Sequence, residues 1–177
     1  MNRHTLHTPQ QGLAVGFRHE LQIFDKRTGE LIDREVQMNL IPQAGIDFLM
    51  QAPFGDVAPI SQLYCGLFRN NFIAAANTTA ADIPLVMGEF VDYDEPTRPL
   101  WDRSYESGTY HNFDNKAVFT PNKEATVYGS FIVTNSVKGA NTGLLLSVVR
   151  FSTAKPLSVG LEAKLICGIT YVPTNSV

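Results

Sequence analysis

The sequence predicts a mainly β protein: an antiparallel β-sandwich or jelly roll of about eight strands, with one short helix and an N-terminal arm. β-branched and aromatic residues dominate the apolar runs at 125–134, 143–152 and 161–172. Pro, Gly and Asn separate these runs, as they separate short antiparallel strands that follow one another. In the last run the apolar side chains recur at every second residue, a period that helices cannot use: Leu161, Ala163, Leu165, Cys167, Ile169 and Tyr171.

The length of the chain favours one domain. Its 177 residues are enough for a β-rich domain with a substantial core. Residues 1–11 have no apolar periodicity, so we predict an N-terminal arm that contacts a partner. Residues 12–177 then form the single domain, in which residues 12–38 make a hairpin and residues 39–177 make the core.

The hairpin is predicted from two alternating segments. Residues 17–23 alternate apolar with polar side chains, and the turn that follows ends in Gly29, a residue suited to positive φ. Residues 31–38 alternate again and are predicted to return antiparallel. A two-stranded ribbon is marginal alone in water, so we expect it to lie on the main sheet or on a neighbouring subunit. The residues on one face of the first segment are Phe17, His19, Leu21 and Ile23.

A short helix is predicted from about Pro42 to Gln51. Proline suits the first helical turn, and Pro53 with Gly55 marks the end. The apolar stripe that should face the core has helical spacing, with Ile46, Leu49 and Met50 on it and Ala44 and Phe48 beside it.

The middle of the chain carries fewer regular patterns. Residues 61–69 read as a strand, whereas residues 70–85 are predicted to be loop with one helical turn after Thr78. Two prolines in residues 88–101 favour an extended edge or a fixed loop. The polar stretch 102–115 is predicted to be a long loop over the sheet.

Composition excludes two classes of partner. With 14 Lys and Arg against 17 Asp and Glu, the net charge is −3. We therefore expect no positive electrostatic field that would attract nucleic acid to the surface. No stretch resembles a signal peptide or approaches the roughly 18 apolar residues of a membrane span. We therefore expect a protein made and kept in the cytosol, without nucleic acid or membrane partners. Charged residues are only 18%, below the roughly 25% of soluble proteins, which favours a surface that is uncharged or covered by partners.

Two cysteines lie inside apolar, strand-like runs. Cys65 and Cys167 have neither a second cysteine nor a histidine at ligand spacing. Buried free thiols are predicted, because a disulfide is unusual in a reducing compartment.

Four acidic residues lie close together near the middle of the chain. Their order lacks the alternate oxygen ligands, the central glycine and the distal glutamate of a calcium loop. A structural role is predicted, with a salt link to Arg98 or Arg103, and adventitious divalent binding is the alternative. The four residues are Glu89, Asp92, Asp94 and Glu95.

No catalytic, cofactor-binding or metal-binding residues are predicted, and the protein is not expected to be an enzyme. Ser130 follows Gly129 inside a strand pattern, not at the strand-to-helix turn of a serine nucleophile. The sequence contains no P-loop and no Gly-x-Gly-x-x-Gly motif. The histidines are scattered, without a metal-binding motif, and are predicted to be solvated or at an interface: His4, His7, His19 and His111.

Six short sequence phrases follow one another in a fixed order over about residues 39 to 172. The phrases are Asn-Leu-Ile-Pro-Gln-Ala-Gly-Ile-Asp at 39–47, Leu-Tyr-Cys-Gly-Leu-Phe at 63–68, Tyr-Asp-Glu-Pro-Thr-Arg-Pro-Leu-Trp at 93–101, Asn-Lys-Ala-Val-Phe-Thr at 115–120, Val-Tyr-Gly-Ser-Phe-Ile at 127–132, and Gly-Leu-Leu-Leu-Ser at 143–147 before Arg-Phe-Ser at 150–152. In this order and at these distances they resemble small virion structural proteins of tailed bacteriophages and prophages.

The resemblance implies a capsid decoration, or cement, protein. Its partners would be the phage major capsid protein and neighbouring copies of itself in a homo-oligomer. Its location would be the virion, assembled in the bacterial host cytoplasm. Such a protein needs no reaction and no cofactor, since binding only the assembled shell stabilises that shell.

Two alternatives stay open. A tail or head-to-tail connector protein would share the fold but form a ring of fixed copy number. A carbohydrate-binding module would instead stack sugars on exposed aromatic residues of the predicted long loop and its border, namely Trp101, Tyr105 and Tyr110.

Overall fold

The computed structural model describes residues 11–175, with side-chain environments for residues 15–170. Over this part of the chain nine strands and one α-helix form two antiparallel sheets with a helix beside them. The strands are β1 (Gln11–Asp25), β2 (Leu31–Met38), β3 (Tyr64–Phe68), β4 (Ser104–Glu106), β5 (Thr109–His111), β6 (Ala117–Phe119), β7 (Ala125–Val133), β8 (Leu145–Leu157) and β9 (Leu161–Asn175), and the helix is α1 (Gln43–Gln51).

The two sheets differ in size. The larger sheet has the order β2-β1-β9-β5-β4, and β6 also pairs with β9. The smaller sheet has the order β3-β7-β8. The predicted mainly β, antiparallel sandwich is therefore confirmed, while the jelly-roll connectivity stays a prediction.

The N-terminal hairpin is confirmed and belongs to the larger sheet. β1 and β2 pair in antiparallel register, and Gly29 in their turn has φ of 72°. β1 also pairs with β9 along its whole length, which anchors the hairpin. Gln11, which the sequence assigned to the arm, instead pairs with Asn175 because its backbone continues the β1 ladder. Residues 1–10 of the predicted arm lie outside the described residues.

The predicted C-terminal strands that follow one another along the chain do not all pair with one another. β7 and β8 pair, but β8 and β9 belong to different sheets, and β6 pairs with β9. The turn at 158–160 carries the chain from the smaller sheet to the larger one. A period of two shows on which face of the sheet each side chain lies. It does not show which neighbouring strand a given strand pairs with.

Helix α1 confirms the predicted bounds, and Leu49 of the predicted apolar stripe packs against the core, but Ile46 and Met50 of that stripe do not. It begins after Pro42, and the chain turns away at Gly55, where φ is 82°. Ile46 and Met50 are 38% and 63% exposed. The helix faces β8 through Gly45, where an added Cβ would lie 3.0 Å from the carbonyl oxygen of Leu146. Because the helix approaches β8 so closely at Gly45, the side chains that pack against the core are Phe48 and Leu49.

The predicted long loop at 102–115 contains a small hairpin that the sequence analysis missed. β4 and β5 pair around a two-residue turn in which Ser107 and Gly108 have φ of 47° and 87°. Positive φ at both turn positions suits the twist of tight hairpins. The hairpin sets Tyr105 opposite Tyr110, with ring centroids 5.1 Å apart.

The other connections agree with the sequence. After Thr79 a 3-10 turn at Ala80–Asp82 continues into a π turn at Ile83–Met87, which confirms the helical turn predicted after Thr78. Residues 88–101 contain isolated bridges and no named strand, which confirms the fixed loop.

The smaller sheet has apolar residues on both faces. One face packs against the larger sheet, and buried residues of the main core come from both sheets: Phe17, Leu21, Leu165 and Cys167 face Cys65, Leu67, Ile132 and Val149. The other face is covered by the 80–87 turns and holds a second cluster: Phe68, Ala80, Ile83, Met87, Phe131, Val133, Leu145 and Val148. Burial on both sides explains the continuous buried run at 129–133 of β7.

Two glycines in the smaller sheet lie beneath aromatic rings of the opposite strand. Gly66 pairs with Phe131, and Gly129 pairs with Phe68. A Cβ added at Gly66 would overlap the Phe131 ring, which is fully buried.

We expect Gly66→Ala to lower the free energy of unfolding by about 1 to 2 kcal/mol, because the Phe131 ring must shift within a packed core. Urea unfolding measures this loss. Gly16→Ala is the matched control in a strand, since its added Cβ would meet only the end of the Met38 side chain at 3.4 Å. Equal stabilities of the two variants would contradict the prediction.

Candidate functional site

The predicted salt link of the acidic cluster is confirmed for Glu89 and Arg98. Arg98 donates from Nε and Nη2 to the two carboxylate oxygens of Glu89, over 2.7 and 2.8 Å. The side chains are 0% and 1% exposed. The same guanidinium donates to the carbonyl oxygens of Asn135 and Ala140, and the Gly139 N–H donates to Glu89. The pair therefore fixes the loop between β7 and β8.

The other acidic residues of the cluster also have structural partners. Asp92 pairs with Lys123 over 2.7 Å and with Arg69 over 3.5 Å. The hydrogen bond from Lys123 lowers the pKa of Asp92. Glu95 accepts hydrogen bonds from the backbone N–H and the hydroxyl of Thr120, and Asp94 accepts one from Asn122. In the part of the chain that the structure describes, no three His, Cys, Asp or Glu residues are grouped as a metal site would require.

His19 is a core residue, which corrects the expectation of a solvated or interface histidine. It is 0% exposed, with Nδ1 2.8 Å from the Ser130 hydroxyl and Nε2 2.6 Å from the Ser147 hydroxyl. Burial lowers the pKa of His19 to about 3, so the ring is neutral. Because β1 belongs to the larger sheet and both serines to the smaller one, the imidazole joins the two sheets.

Among the residues that the structure describes, His111 and Ser130 belong to no catalytic arrangement. Ser130 has a histidine partner, but both side chains are fully buried and no substrate can reach them. His111 is 7% exposed and lies 3.1 Å from Glu106 on the β4–β5 hairpin. His4 and His7 lie outside the described residues.

The cysteine prediction is confirmed. Cys65 and Cys167 are both free and fully buried. Burial raises the pKa of Cys167 well above its usual value, and the neighbouring Cys65 side chain raises it further. Both thiols are packing groups between the sheets.

The aromatic residues considered for sugar stacking do not form one exposed platform. Trp101 is 2% exposed, and its indole N–H donates to the carbonyl oxygen of Cys167 over 3.0 Å. The buried Trp101 corrects its placement among exposed aromatics. Tyr105 and Tyr110 are 64% and 45% exposed, and their rings are tilted by 56°.

The most distinctive polar arrangement lies on the outer face of the larger sheet, the side turned away from the smaller sheet. At its centre the Glu20 carboxylate accepts hydrogen bonds from Arg34 and Arg18 over 2.6 Å each, and from Gln22 over 2.7 Å. The Arg34 hydrogen bond is the main cause that lowers the pKa of Glu20 to about 2. Although it faces outward, the Glu20 side chain is only 3% exposed, because its partners cover it.

Lysines extend this network across neighbouring strands. Lys116 donates to Gln22 over 3.1 Å. Lys164 pairs with Glu162 over 2.7 Å and lies 4.8 Å from the Phe24 ring centroid. The outer face thus carries four cationic side chains (Arg18, Arg34, Lys116, Lys164) and three carboxylates (Glu20, Glu106, Glu162), because the register of the β4–β5 hairpin places Glu106 on the same side as Thr109 and Thr170.

Apolar side chains border the outer face along β2. Leu31, Val36 and Met38 are 47%, 39% and 65% exposed, and they lie opposite outward-facing residues of β1. Within the described residues β2 pairs only with β1, so its other edge has no strand partner. An apolar strand at a sheet edge is a surface suited to another chain.

The inner side of β2 is held by β8. Glu35 accepts hydrogen bonds from the backbone N–H of Ser152 and from Lys155, whose Nζ lies 2.7 Å from the carboxylate. Burial opposes ionisation of Glu35, but these bonds outweigh it and lower its pKa to about 2. The edge strand is therefore a fixed part of the outer face.

No protein-family model matches the chain, and no curated protein matches it. Among the described residues, helices that are both long enough and apolar enough to cross a membrane are absent.

Proposed function

We propose that this protein is a virion structural protein of a tailed bacteriophage, and that it decorates the assembled capsid through the outer face of the larger sheet. One observation carries this proposal: the exposed apolar side chains of edge strand β2 lie beside Arg18 and Arg34, which hydrogen bonds to Glu20 already hold in place. Arginine and methionine are enriched where proteins bind one another, and a fixed side chain loses little entropy on binding.

The charges of the outer face define the partner surface. Four cations against three carboxylates, of which Glu20 is already covered by its arginine partners, favour an acidic region of the major capsid protein, since complementary charge guides binding and excludes wrong partners. The free edge of β2 can add a strand from a neighbouring copy. By binding the assembled shell and not its loosened form, the protein would stabilise the particle in proportion to its affinity and concentration.

The copy number per particle tests the location. We would purify phage particles whose genome encodes this chain and quantify the chain against the major capsid protein by mass spectrometry. Hundreds of copies, near an integer ratio to the shell subunit, support decoration. About six or twelve copies would assign the protein to a tail or connector ring instead, because such rings have closed symmetry. Absence from the particles would overturn the virion proposal.

We expect Met38→Asp to weaken binding to undecorated particles about tenfold or more, because a charge replaces an apolar contact on the edge strand. The control is Val159→Asp, since Val159 is also apolar and 68% exposed but lies in the turn between β8 and β9. Co-sedimentation of each full-length variant with particles measures the affinity. If Met38→Asp binds as well as Val159→Asp, the outer face is not the shell-binding surface.

A further inference from the structure

A partly open cavity of about 350 Å³ lies between α1, the segment 58–63 and the larger sheet. Its floor is apolar and buried, and includes Phe17, Leu63 and Trp101. Its mouth includes Arg103 and the half-exposed Tyr110. The volume is at the lower end of the roughly 300–1,000 Å³ of small-molecule sites, and an apolar lining with few polar groups is typical of them.

Arg103 is the only charged residue that lines this cavity. Its guanidinium carbon lies 5.3 Å from the Trp101 ring centroid, which holds it beside the apolar lining. Its hydrogen bond to the carbonyl oxygen of Ile60 is long, at 3.4 Å. Among the described residues no carboxylate lies within salt-bridge distance of Arg103, whereas Arg98 is fully paired with Glu89. The charge at the mouth is therefore available to an anion.

The segment over the cavity is weakly held. Within the described chain, residues 57–62 take part in no backbone–backbone hydrogen bonds. Ile60 and Pro59 of this segment also line the cavity. Segments with so few hydrogen bonds open at low free-energy cost, which gives a ligand a route to the buried floor.

We propose that this cavity binds a small apolar carboxylate, whose hydrocarbon part contacts the buried floor while its carboxylate pairs with Arg103. A bidentate guanidinium–carboxylate pair at an apolar site combines strength with orientation. This binding activity is separate from the proposed shell contact, because the cavity and the outer face share no residue.

Trp101 reports on the cavity directly, since it is the only tryptophan of the chain. We would titrate the full-length protein with decanoate and, as the neutral counterpart, with 1-decanol, and follow Trp101 fluorescence. Decanoate should give a saturable change with submillimolar affinity and bind about tenfold or more tightly than decanol. Equal affinities, or no saturable change with decanoate, would overturn the proposal without any variant.

The variant Arg103→Gln should lose about tenfold or more of its decanoate affinity and retain its decanol affinity. Arg150→Gln is the matched control, because Arg150 is exposed and bonds only the Asn71 amide, 2.9 Å away, on another part of the surface. Equal weakening of both ligands by Arg103→Gln would show that Arg103 only shapes the cavity, and would overturn its assignment as the anion partner. Circular dichroism confirms that each variant is folded.

Discussion

Replacing Arg98 with methionine is expected to lower the free energy of unfolding by about 3 to 5 kcal/mol. The substitution leaves the Glu89 carboxylate buried without its charge partner, and this penalty is far larger than the loss of an exposed ion pair. It also removes the guanidinium hydrogen bonds to the carbonyl oxygens of Asn135 and Ala140, which hold the loop between β7 and β8. Urea unfolding measures the loss, and hydrogen exchange should show faster opening of residues 135–140.

The variant Arg69→Met is the matched control. Arg69 pairs with Asp92 on the surface, where the side chains are 45% and 23% exposed, so its loss should cost no more than about 1 kcal/mol. The double variant Glu89→Leu with Arg98→Met should recover much of the stability, since no unpaired charge is left inside. If Arg98→Met loses no more stability than Arg69→Met, the buried pair does not hold this loop as described.

The ion pair of Glu89 and Arg98 could be predicted from the sequence only in part. Charge and proximity in the chain were enough to predict a salt link with Arg98 or Arg103, and the structure shows that Arg98 is the partner. The burial of this ion pair could not be predicted, because it depends on contacts with the loop at 135–140, which is remote in the sequence. Alternation in β1 and β9 likewise predicted the inward residues of both strands, since a period of two is a local property.

Some features missed from the sequence did leave a local signal. His19 stands between Phe17 and Leu21 on the apolar face of β1, and that position already pointed to the core. Ser107 and Gly108 stand between two tyrosines, a pattern compatible with a tight hairpin. Trp101 gave no such signal, because its burial comes from contacts with distant strands.

The candidate binding face could be predicted only in part. Alternation places Arg18 and Lys164 away from the core, but it does not place Arg34, which shares its side of β2 with the apolar Val36 and Met38. Their convergence on one network depends on the register of β2, β1 and β9, which joins residues more than a hundred positions apart. Register is decided by the packed sheet as a whole, so single-strand patterns do not contain it.

Acidification is expected to destabilise the protein through His19 before it affects the carboxylates. In the unfolded chain a histidine takes up a proton below about pH 6.5, whereas burial keeps His19 neutral in the fold down to about pH 3. The unfolded state therefore binds more protons in this window, and stability falls as the pH falls. Between pH 7 and pH 4.5 the free energy of unfolding should drop by about 2.5 kcal/mol from this residue alone.

The variant His19→Gln separates this effect from the carboxylates. Glutamine can bond the hydroxyls of Ser130 and Ser147 but does not titrate, so the loss of stability between pH 7 and pH 4.5 should shrink to a small remainder. Glu20 and Glu35 have a pKa lowered to about 2, so the stability that they contribute is lost mainly below pH 4.5. Urea unfolding at half-unit pH steps measures both profiles. An unmodified protein whose stability stays level from pH 7 to pH 5 would mean that His19 takes up a proton as readily in the fold as in the unfolded chain, and would contradict its neutral state in the core.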